Sequence, residues 1–371
     1  MNIGTVKEIK IHEYRVGLTP SCVRAYVAMG HKVMVETGAG QNTGFADSEY
    51  AEAGAILVSD KRKIFDDCDM IVKVKEPLPE EYDLFHAGQI LYTYLHLAAS
   101  KGLTDALLKQ SIKGVAYETM ETVNGILPCL RPMSEIAGRL AVQEGAKYLE
   151  KPFGGRGILL GGVPGIKRGN IAVLGAGIAG MNACKMAIGI GANVTVLDID
   201  SNKLAYLDDI FGTSITTLYS NDANIDSVLA EADLVIGTVL IPGAQAPKLI
   251  KRKHLAGMKK GAVIVDVAVD QGGCAETTHP TTHDDPIYVV DGIVHYCVAN
   301  MPGAVALSST IALTSATLRY GLSIAEKGLE GACRKHREIA SGVNLYQGLC
   351  TYNNVASSLN LQYTPLDSIL N

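Results

Sequence analysis

The stretch Asn170 to Asp200, NIAVLGAGIAGMNACKMAIGIGANVTVLDID, decides the fold. Ile171 to Leu174 is an apolar run of strand length. It passes into Gly175-Ala176-Gly177-Ile178-Ala179-Gly180 and then into apolar positions at helical spacing, Met181, Cys184, Met186, Ala187 and Ile190. The first glycine permits a tight turn, the second lets backbone N–H groups approach a pyrophosphate, and the third lets the helix close on the strand. The phosphates sit on the helix N-terminus, where unpaired N–H groups and the helix dipole favour an anion. The next strand, Asn193 to Leu197, ends at Asp198, about 20 residues beyond the turn, where a carboxylate takes ribose hydroxyls. No arginine follows it directly, and a 2′-phosphate beside Asp198 would bring like charges together. The pattern therefore favours NAD over NADP.

Upstream of this fingerprint, strands and helices alternate. Ile3 to Val6, Lys32 to Glu36, Ala55 to Val58, Met70 to Val74, Gln89 to Tyr94 and Gly114 to Tyr117 read as strands, with helices predicted at Pro20 to Met29 and Asp47 to Ala53. Strands separated by helix-length segments predict a parallel sheet covered on both faces, a second doubly wound domain without a glycine fingerprint of its own. Ser134 to Glu150 has a helix-start residue and helical apolar spacing, and it reads as a connecting helix. The glycine-rich run Gly154 to Gly165 lacks the Lys-Ser/Thr of a P-loop and reads as a protruding hairpin or subunit contact. Downstream, Ile215 to Leu218, Asp233 to Gly237, Ala262 to Val267 and Ile287 to Val290 complete a dinucleotide fold by residue 300. The remaining segment reads as mostly helical and returns to the first domain. The expected architecture is α/β, with two doubly wound Rossmann-like domains and an inter-domain cleft. The first domain is discontinuous, residues 1–130 plus 305–371, and the nucleotide domain spans 131–304.

With 371 residues, the chain exceeds one ordinary core. A hydrophobic fraction of 47% with 19% charged residues is globular, and 39 glycines suit many strand-to-helix turns. A net charge of −5 without a basic block argues against a nucleic-acid surface. The eight cysteines have no CxxC and no metal-ligand spacing, so they read as reduced core residues of a cytoplasmic protein. The N-terminal MNIGTVKEIK has no apolar signal core. The most membrane-like run, Ala304 to Tyr320, is interrupted by Ser308, Ser309, Thr310, Thr314, Ser315, Thr317 and Arg319, and reads as a buried helix of a soluble protein with no membrane span.

Ligands of open α/β sheets bind outside the carboxyl ends of the strands, so charged residues just after apolar strands are the candidates for chemistry. Arg15 lies in the loop after the first strand, Lys75 ends Ile71 to Lys75, His96 follows Ile90 to Leu95, and Asp270 follows Ile264 to Val269. Taken singly, each has a structural reading: an ion pair of Arg15 with Glu13, a solvated strand end, a hydrogen-bonded histidine, a turn-initiating aspartate. Taken together beside a hydride acceptor they suit oxidation of a small amino or hydroxy acid. Hydride leaves a carbon only if the neighbouring heteroatom loses a proton, which calls for a base near neutrality such as His96. A substrate carboxylate wants a planar bidentate cation, Arg15, with Lys75 as a point charge.

At these residues the sequence resembles the alanine dehydrogenase family, whose architecture is shared with the NAD-binding subunit of proton-translocating transhydrogenase. The likeness runs along the whole chain through VKEIKIHEYRVGLTP, VKVKEP, YLHLA, RPMSEIAGRLA, GGRGILLGGVPG, the fingerprint ending in LDID, DVAVDQGGC and VANMPGAV. It implies conversion of L-alanine, water and NAD to pyruvate, ammonia and NADH by a homohexamer. It implies that Arg15 and Lys75 bind substrate with Met133 beside them, and that His96 and Asp270 are catalytic. The implied cofactor contacts are Ser134, Gly175, Gly177, Ile178, Ala179, Gly180, Asp198, Lys203, Ser220, Val239, Leu240, Val267, Asp270, Val298, Asn300 and Met301. Departures are Gly4-Thr5-Val6 in place of the usual proline before the first Lys-Glu, His279 where some relatives carry arginine, and Lys203 where others do. The metal positions of a few relatives meet only Glu326 and Lys327, so no metal is implied. A transhydrogenase subunit handing hydride to a second nucleotide would not need Lys75 or His96. An NAD-sensing scaffold would keep only the fingerprint and Asp198.

Overall fold

The structure is a computed structural model that describes residues 1–239 and 246–370. The chain divides into two compact units, Met1–Met133 with Val305–Asn371, and Ser134–Ala304. In the first, strands β1 (Asn2–Thr5), β2 (Lys32–Glu36), β3 (Ile56–Val58), β4 (Met70–Val72), β5 (Ile90–Thr93) and β6 (Lys113–Ala116) run parallel in the spatial order β3-β2-β1-β4-β5-β6. The order reverses between β1 and β4, which makes that crevice the switch point of a doubly wound sheet. β4 and β5 are buried along their whole length, as strands covered by helices on both faces must be. One covering layer packs Ile64, Phe65, Leu103 and Leu107 from the helices onto Ile71 and Leu91. The helix Pro20–Ala28 starts at a proline, whose missing N–H costs nothing in the first turn, and Thr19 Oγ1 caps it by accepting from Cys22 N.

The second unit contains β7 (Asn170–Leu174), β8 (Asn193–Asp198), β9 (Ile215–Tyr219), β10 (Leu234–Gly237), β11 (Val263–Asp266), β12 (Ile287–Val290) and β13 (Ile293–Tyr296), in the order β9-β8-β7-β10-β11-β13-β12. All neighbours are parallel except the β12–β13 hairpin. Here the sequence reading needs correction. The sixth parallel strand is β13, and Ile287–Val290 is the antiparallel edge beside it. Asp291 and Gly292 join the two with φ of 50° and 79°, the positive-φ pair that a two-residue hairpin turn demands. The connecting helix begins at Arg131 rather than Ser134 and ends at Tyr148. The glycine-rich run is not a hairpin: it contains no strand, and Arg156 N, Gly157 N and Gly169 N donate to the carbonyls of Gly261, Leu149 and Leu160 in its own unit.

The tail is not wholly helical. After helices Ala306–Lys335 and Arg337–Gly342 it forms β14 (Val343–Tyr346) and β15 (Leu349–Cys350), and β14 pairs antiparallel with β6, so the first sheet is mixed. Gln347 and Gly348, at φ 48° and 87°, again supply the turn. The helical stretch Met301–Lys335, which includes helix Ala306–Lys335, is long and apolar enough to cross a membrane by length and composition. It nevertheless buries the hydroxyl-bearing Ser309, Thr310, Thr314, Thr317 and Ser323, and it receives hydrogen bonds from Val16 N at Thr310 Oγ1 and from Tyr92 Oη at the Thr317 carbonyl. All eight cysteines are buried and unpaired.

Candidate active site

In the first unit the carboxyl ends of the adjacent strands β1, β4, β5 and β6 carry a charged cluster. Arg15 is only 2% exposed. Its Nε and Nη2 donate to Glu13 Oε1 and Oε2 at 2.6 and 2.5 Å, a bidentate pair that fixes the guanidinium plane. Nη1 lies 3.1 Å from Met133 Sδ, which brings together two of the residues singled out in the sequence. Burial pushes the Glu13 carboxyl up, but the hydrogen bonds and charge of Arg15 outweigh it and hold Glu13 below the usual carboxylate range.

Lys75 follows β4. Burial lowers its ammonium below the ordinary lysine value, and the charges of Arg15 and Lys10 add to this against the opposing pull of Glu76. Two desolvated cations that repel one another make a place where an anion is welcome. The strand end beneath is pinned by Glu8, whose Oε1 accepts from Val74 N at 2.6 Å and Lys75 N at 3.4 Å. Glu8 in turn pairs with the fully buried Lys73, which also meets Glu81 at 3.0 Å.

His96 stands just beyond β5 with φ 48° and ψ 36°, a left-handed conformation uncommon for a side-chain-bearing residue. Glu118, after β6, holds it there by accepting from His96 N at 2.7 Å and Leu95 N at 3.1 Å. The imidazole Nδ1 lies 3.1 Å from Glu76 Oε2, and Lys10 Nζ takes the other carboxylate oxygen at 2.5 Å. Burial raises the Glu76 carboxyl, but His96, Lys75 and Lys10 together hold it far below its usual range. An ionised carboxylate only accepts, so Nδ1 is the donor in this contact, and in the neutral ring the lone pair lies on Nε2. The ring stacks at 5.9 Å on Tyr94, whose hydroxyl donates to the Cys129 carbonyl.

In the second unit Gly175 has φ 107°, open only to glycine. A Cβ on Gly180 would lie 1.8 Å from the Gly175 carbonyl oxygen, so helix Ile178–Gly189 closes on the turn only as glycine. A Cβ on Gly177 would meet nothing within 4 Å. The protein's own packing leaves that position open, as a group cradled against the turn would require. Asp198 ends β8 and takes Ala176 N at 2.6 Å and Asp200 N at 2.9 Å, tying the acid to the turn. Ser220 N donates to the Asp198 carbonyl, and Thr238 Oγ1 donates to the carbonyls of Leu174 and Gly175. Gly138 brings the helix that contains Ser134 onto the Ala179 backbone, where a Cβ would lie 2.0 Å from the Ala179 carbonyl oxygen, and Ser134 is one turn away on the same face.

Val239 follows β10, Val267 N donates to the Gly237 carbonyl, and Val298 and Met301 are buried beyond β13. Asn300 has φ 63°. Asp270 is exposed on the short 3-10 turn Val269–Gln271 after β11, and the buried Asp266 shapes that loop by accepting from Ala268 N and Cys274 N. Lys203 does not reach Asp198; its ammonium lies 3.9 Å from Asp200. His279 stacks on Tyr288 at 3.9 Å. Leu240 lies outside the described residues.

The sequence reading passed over Glu8, Glu76, Glu118 and Asp266. Glu76 adjoins Lys75, and an acid beside a strand-end cation was the available signal. Glu118 gave none, because its partners are backbone amides 22 residues away at His96 and 23 at Leu95.

Residues 4–137 match the family model for the N-terminal domain of alanine dehydrogenase/PNT, and residues 141–353 match the model for its C-terminal domain. The chain is 52% identical over 372 residues to an alanine dehydrogenase of Methanococcus maripaludis, covering 100% of both. It superimposes on a solved L-alanine dehydrogenase with a TM-score of 0.94 at 50% identity, covering 97% of this chain and 99% of that one. A transhydrogenase from Sinorhizobium meliloti shares the fold, with a TM-score of 0.82 at 23% identity over 95% of this chain and 99% of that one.

Proposed function

Since the chain belongs to the alanine dehydrogenase/PNT family, we propose that it catalyses the reversible, NAD-dependent oxidative deamination of L-alanine to pyruvate and ammonia. The observation that carries this reading is the cluster at the switch point of the first sheet. Buried Arg15 and the charge-repelled Lys75 stand beside a histidine whose Nδ1 is engaged by Glu76. In this reading the first unit is the substrate and catalytic unit, and the second, residues 131–304 at its widest, binds NAD.

The second unit fits NAD by its own geometry: the open face of Gly177, the N–H groups at the start of helix Ile178–Gly189, and Asp198 at the end of β8 for the adenosine ribose. Ser134, Lys203, Ser220, Val239, Leu240, Val267, Asp270, Val298, Asn300 and Met301 complete the proposed contacts. When bound, NAD supplies the acceptor for the hydride that leaves the α-carbon. Arg15 and Lys75 hold the carboxylate of alanine, with Met133 against the guanidinium. His96 Nε2 takes a proton from the substrate ammonium and passes it to solvent; once neutral again, it takes a proton from the water that attacks the iminium and returns it to the departing nitrogen. Glu76 keeps the tautomer and steadies the imidazolium. Asp270 holds the nitrogen and assists its proton transfers.

The test is NADH formation from L-alanine by the purified protein, with NADP run in parallel. Turnover with NADP alone, or none with alanine, overturns the reading. A transhydrogenase role would leave Lys75 and His96 without work, and it predicts hydride transfer to a second nucleotide without alanine. The same family resemblance supports a cytoplasmic homohexamer, which sedimentation of the native protein checks.

A further inference from the structure

The second unit carries a pocket of about 560 Å³ at the amino ends of its strands, the opposite end of the sheet from the glycine turn. β7 begins in it at Asn170 and reaches the turn only after Leu174, about 13 Å further on at the rise of an extended strand. Four cationic side chains line the pocket, Arg156, Lys167, Arg168 and Lys259, against one carboxylate, Asp233.

That carboxylate is already engaged. Its Oδ2 accepts from Asn170 N at 2.8 Å, and its Oδ1 accepts from Lys259 Nζ at 2.9 Å. Arg156 Nη1 stands 3.3 Å from the same Oδ1 but makes no hydrogen bond. Arg156 Nε and Nη1 are both buried without a hydrogen-bond partner, in a side chain whose backbone N–H is anchored to the Gly261 carbonyl. The ion pair with Asp233 leaves these donors without a hydrogen bond, and because the Arg156 side chain as a whole is 29% exposed, a turn of the guanidinium toward the pocket would present them to a ligand oxygen. Lys167 and Arg168 add two exposed charges with no ion pair among the described residues.

We propose that this pocket is a second anion site, built to take a phosphorylated small molecule of diphosphate charge, with the half-buried Arg156 as the inner donor and Lys167 and Arg168 as the closing cations. A planar guanidinium suits phosphate oxygens, a surplus of positive side chains suits more than one negative charge, and the volume admits a ligand larger than a lone ion. The glycine-rich segment therefore acts through its arginine side chain, not through a backbone cradle of the P-loop kind. The overall charge of −5 is why the reading favours a small anion over nucleic acid.

The experiment is calorimetric titration of the full-length protein with inorganic pyrophosphate, with and without saturating NADH. The expected result is a site whose affinity NADH leaves unchanged, weakened at least tenfold in Lys167→Gln/Arg168→Gln and further in Arg156→Gln. Hydrogen exchange should show new protection over residues 156–170. The double variant changes only exposed side chains, so a loss there cannot be blamed on the fold. Three outcomes would overturn the proposal: no binding at millimolar pyrophosphate, displacement by NADH, or equal affinity in the double variant. Displacement by NADH would assign the anion to the glycine turn instead.

Discussion

Glu76 determines which nitrogen of His96 is available for chemistry. With Nδ1 held at 3.1 Å by a carboxylate that stays ionised far below its usual range, the lone pair of the neutral imidazole falls on Nε2. His96→Ala is expected to lower kcat by about 10²- to 10⁴-fold. Glu76→Gln retains the imidazole but can donate to Nδ1 and stabilise the other tautomer; it should lower kcat with little change in KM and shift the pH–rate profile. A Glu76→Gln enzyme with wild-type kcat and profile would remove the residue from the mechanism. Lys75 gives a second test, with opposite signs for binding and stability. Its folded pKa is depressed by burial and by Arg15, so the folded state sheds a proton that the unfolded chain still holds as pH rises toward the ordinary lysine value. Stability therefore rises through that window, while the ammonium that binds carboxylate is lost and KM for alanine climbs. In Lys75→Met both slopes should vanish, KM should rise about 10- to 100-fold from loss of a charged hydrogen bond, and Tm should not fall.

At the scale of the element, three glycines in one turn have three different reasons. Gly175 is required by its backbone angle and Gly180 by contact with the Gly175 carbonyl, but nothing in the polypeptide requires Gly177. Gly180→Ala is expected to destabilise the protein by about 1–3 kcal/mol or more, because the clash is with backbone that has no rotamer to move. Gly177→Ala should melt at the wild-type temperature and raise KM for NAD about 10- to 100-fold, since its methyl would stand where the pyrophosphate comes close. Thermal melts of both variants beside NAD titrations separate the two cases. Equal NAD affinity in Gly177→Ala would mean that the cofactor binds elsewhere.

At the scale of the whole molecule, the two units should answer to different ligands. NADH is expected to slow amide exchange over residues 174–181 and 198–200. At a hundredfold excess over its Kd it should add about 2.7 kcal/mol to stability. Pyruvate should slow exchange over residues 13–16, 74–76 and 95–97 in the first unit. Exchange mass spectrometry on the native protein reads both at once. Pyruvate protection confined to residues 134–304 would remove the first unit from substrate binding.

What the sequence by itself determined is whatever local pattern dictates. The glycine turn specified a strand-to-helix junction, apolar runs separated by helix-length segments specified two doubly wound sheets, and seventy residues left beyond the nucleotide fold specified a discontinuous first unit. The rule that ligands meet the carboxyl ends of strands made Arg15, Lys75, His96 and Asp270 the candidates for chemistry. The Asp291-Gly292 turn was written in the sequence too, but the sequence reading ended its last strand at Val290 and left Ile293 to Tyr296 unassigned. Tertiary structure alone decided the partners. A carboxylate such as Glu118 is placed by backbone amides 22 residues away at His96 and 23 at Leu95, β14 joins β6 across more than two hundred residues, and Arg156 reaches Asp233 from a segment with no periodicity. Hydrogen bonds and ion pairs depend on distance in space, which the order of residues along a chain does not encode at long range. Strand pairing, loop closure and burial bring those groups within reach of one another.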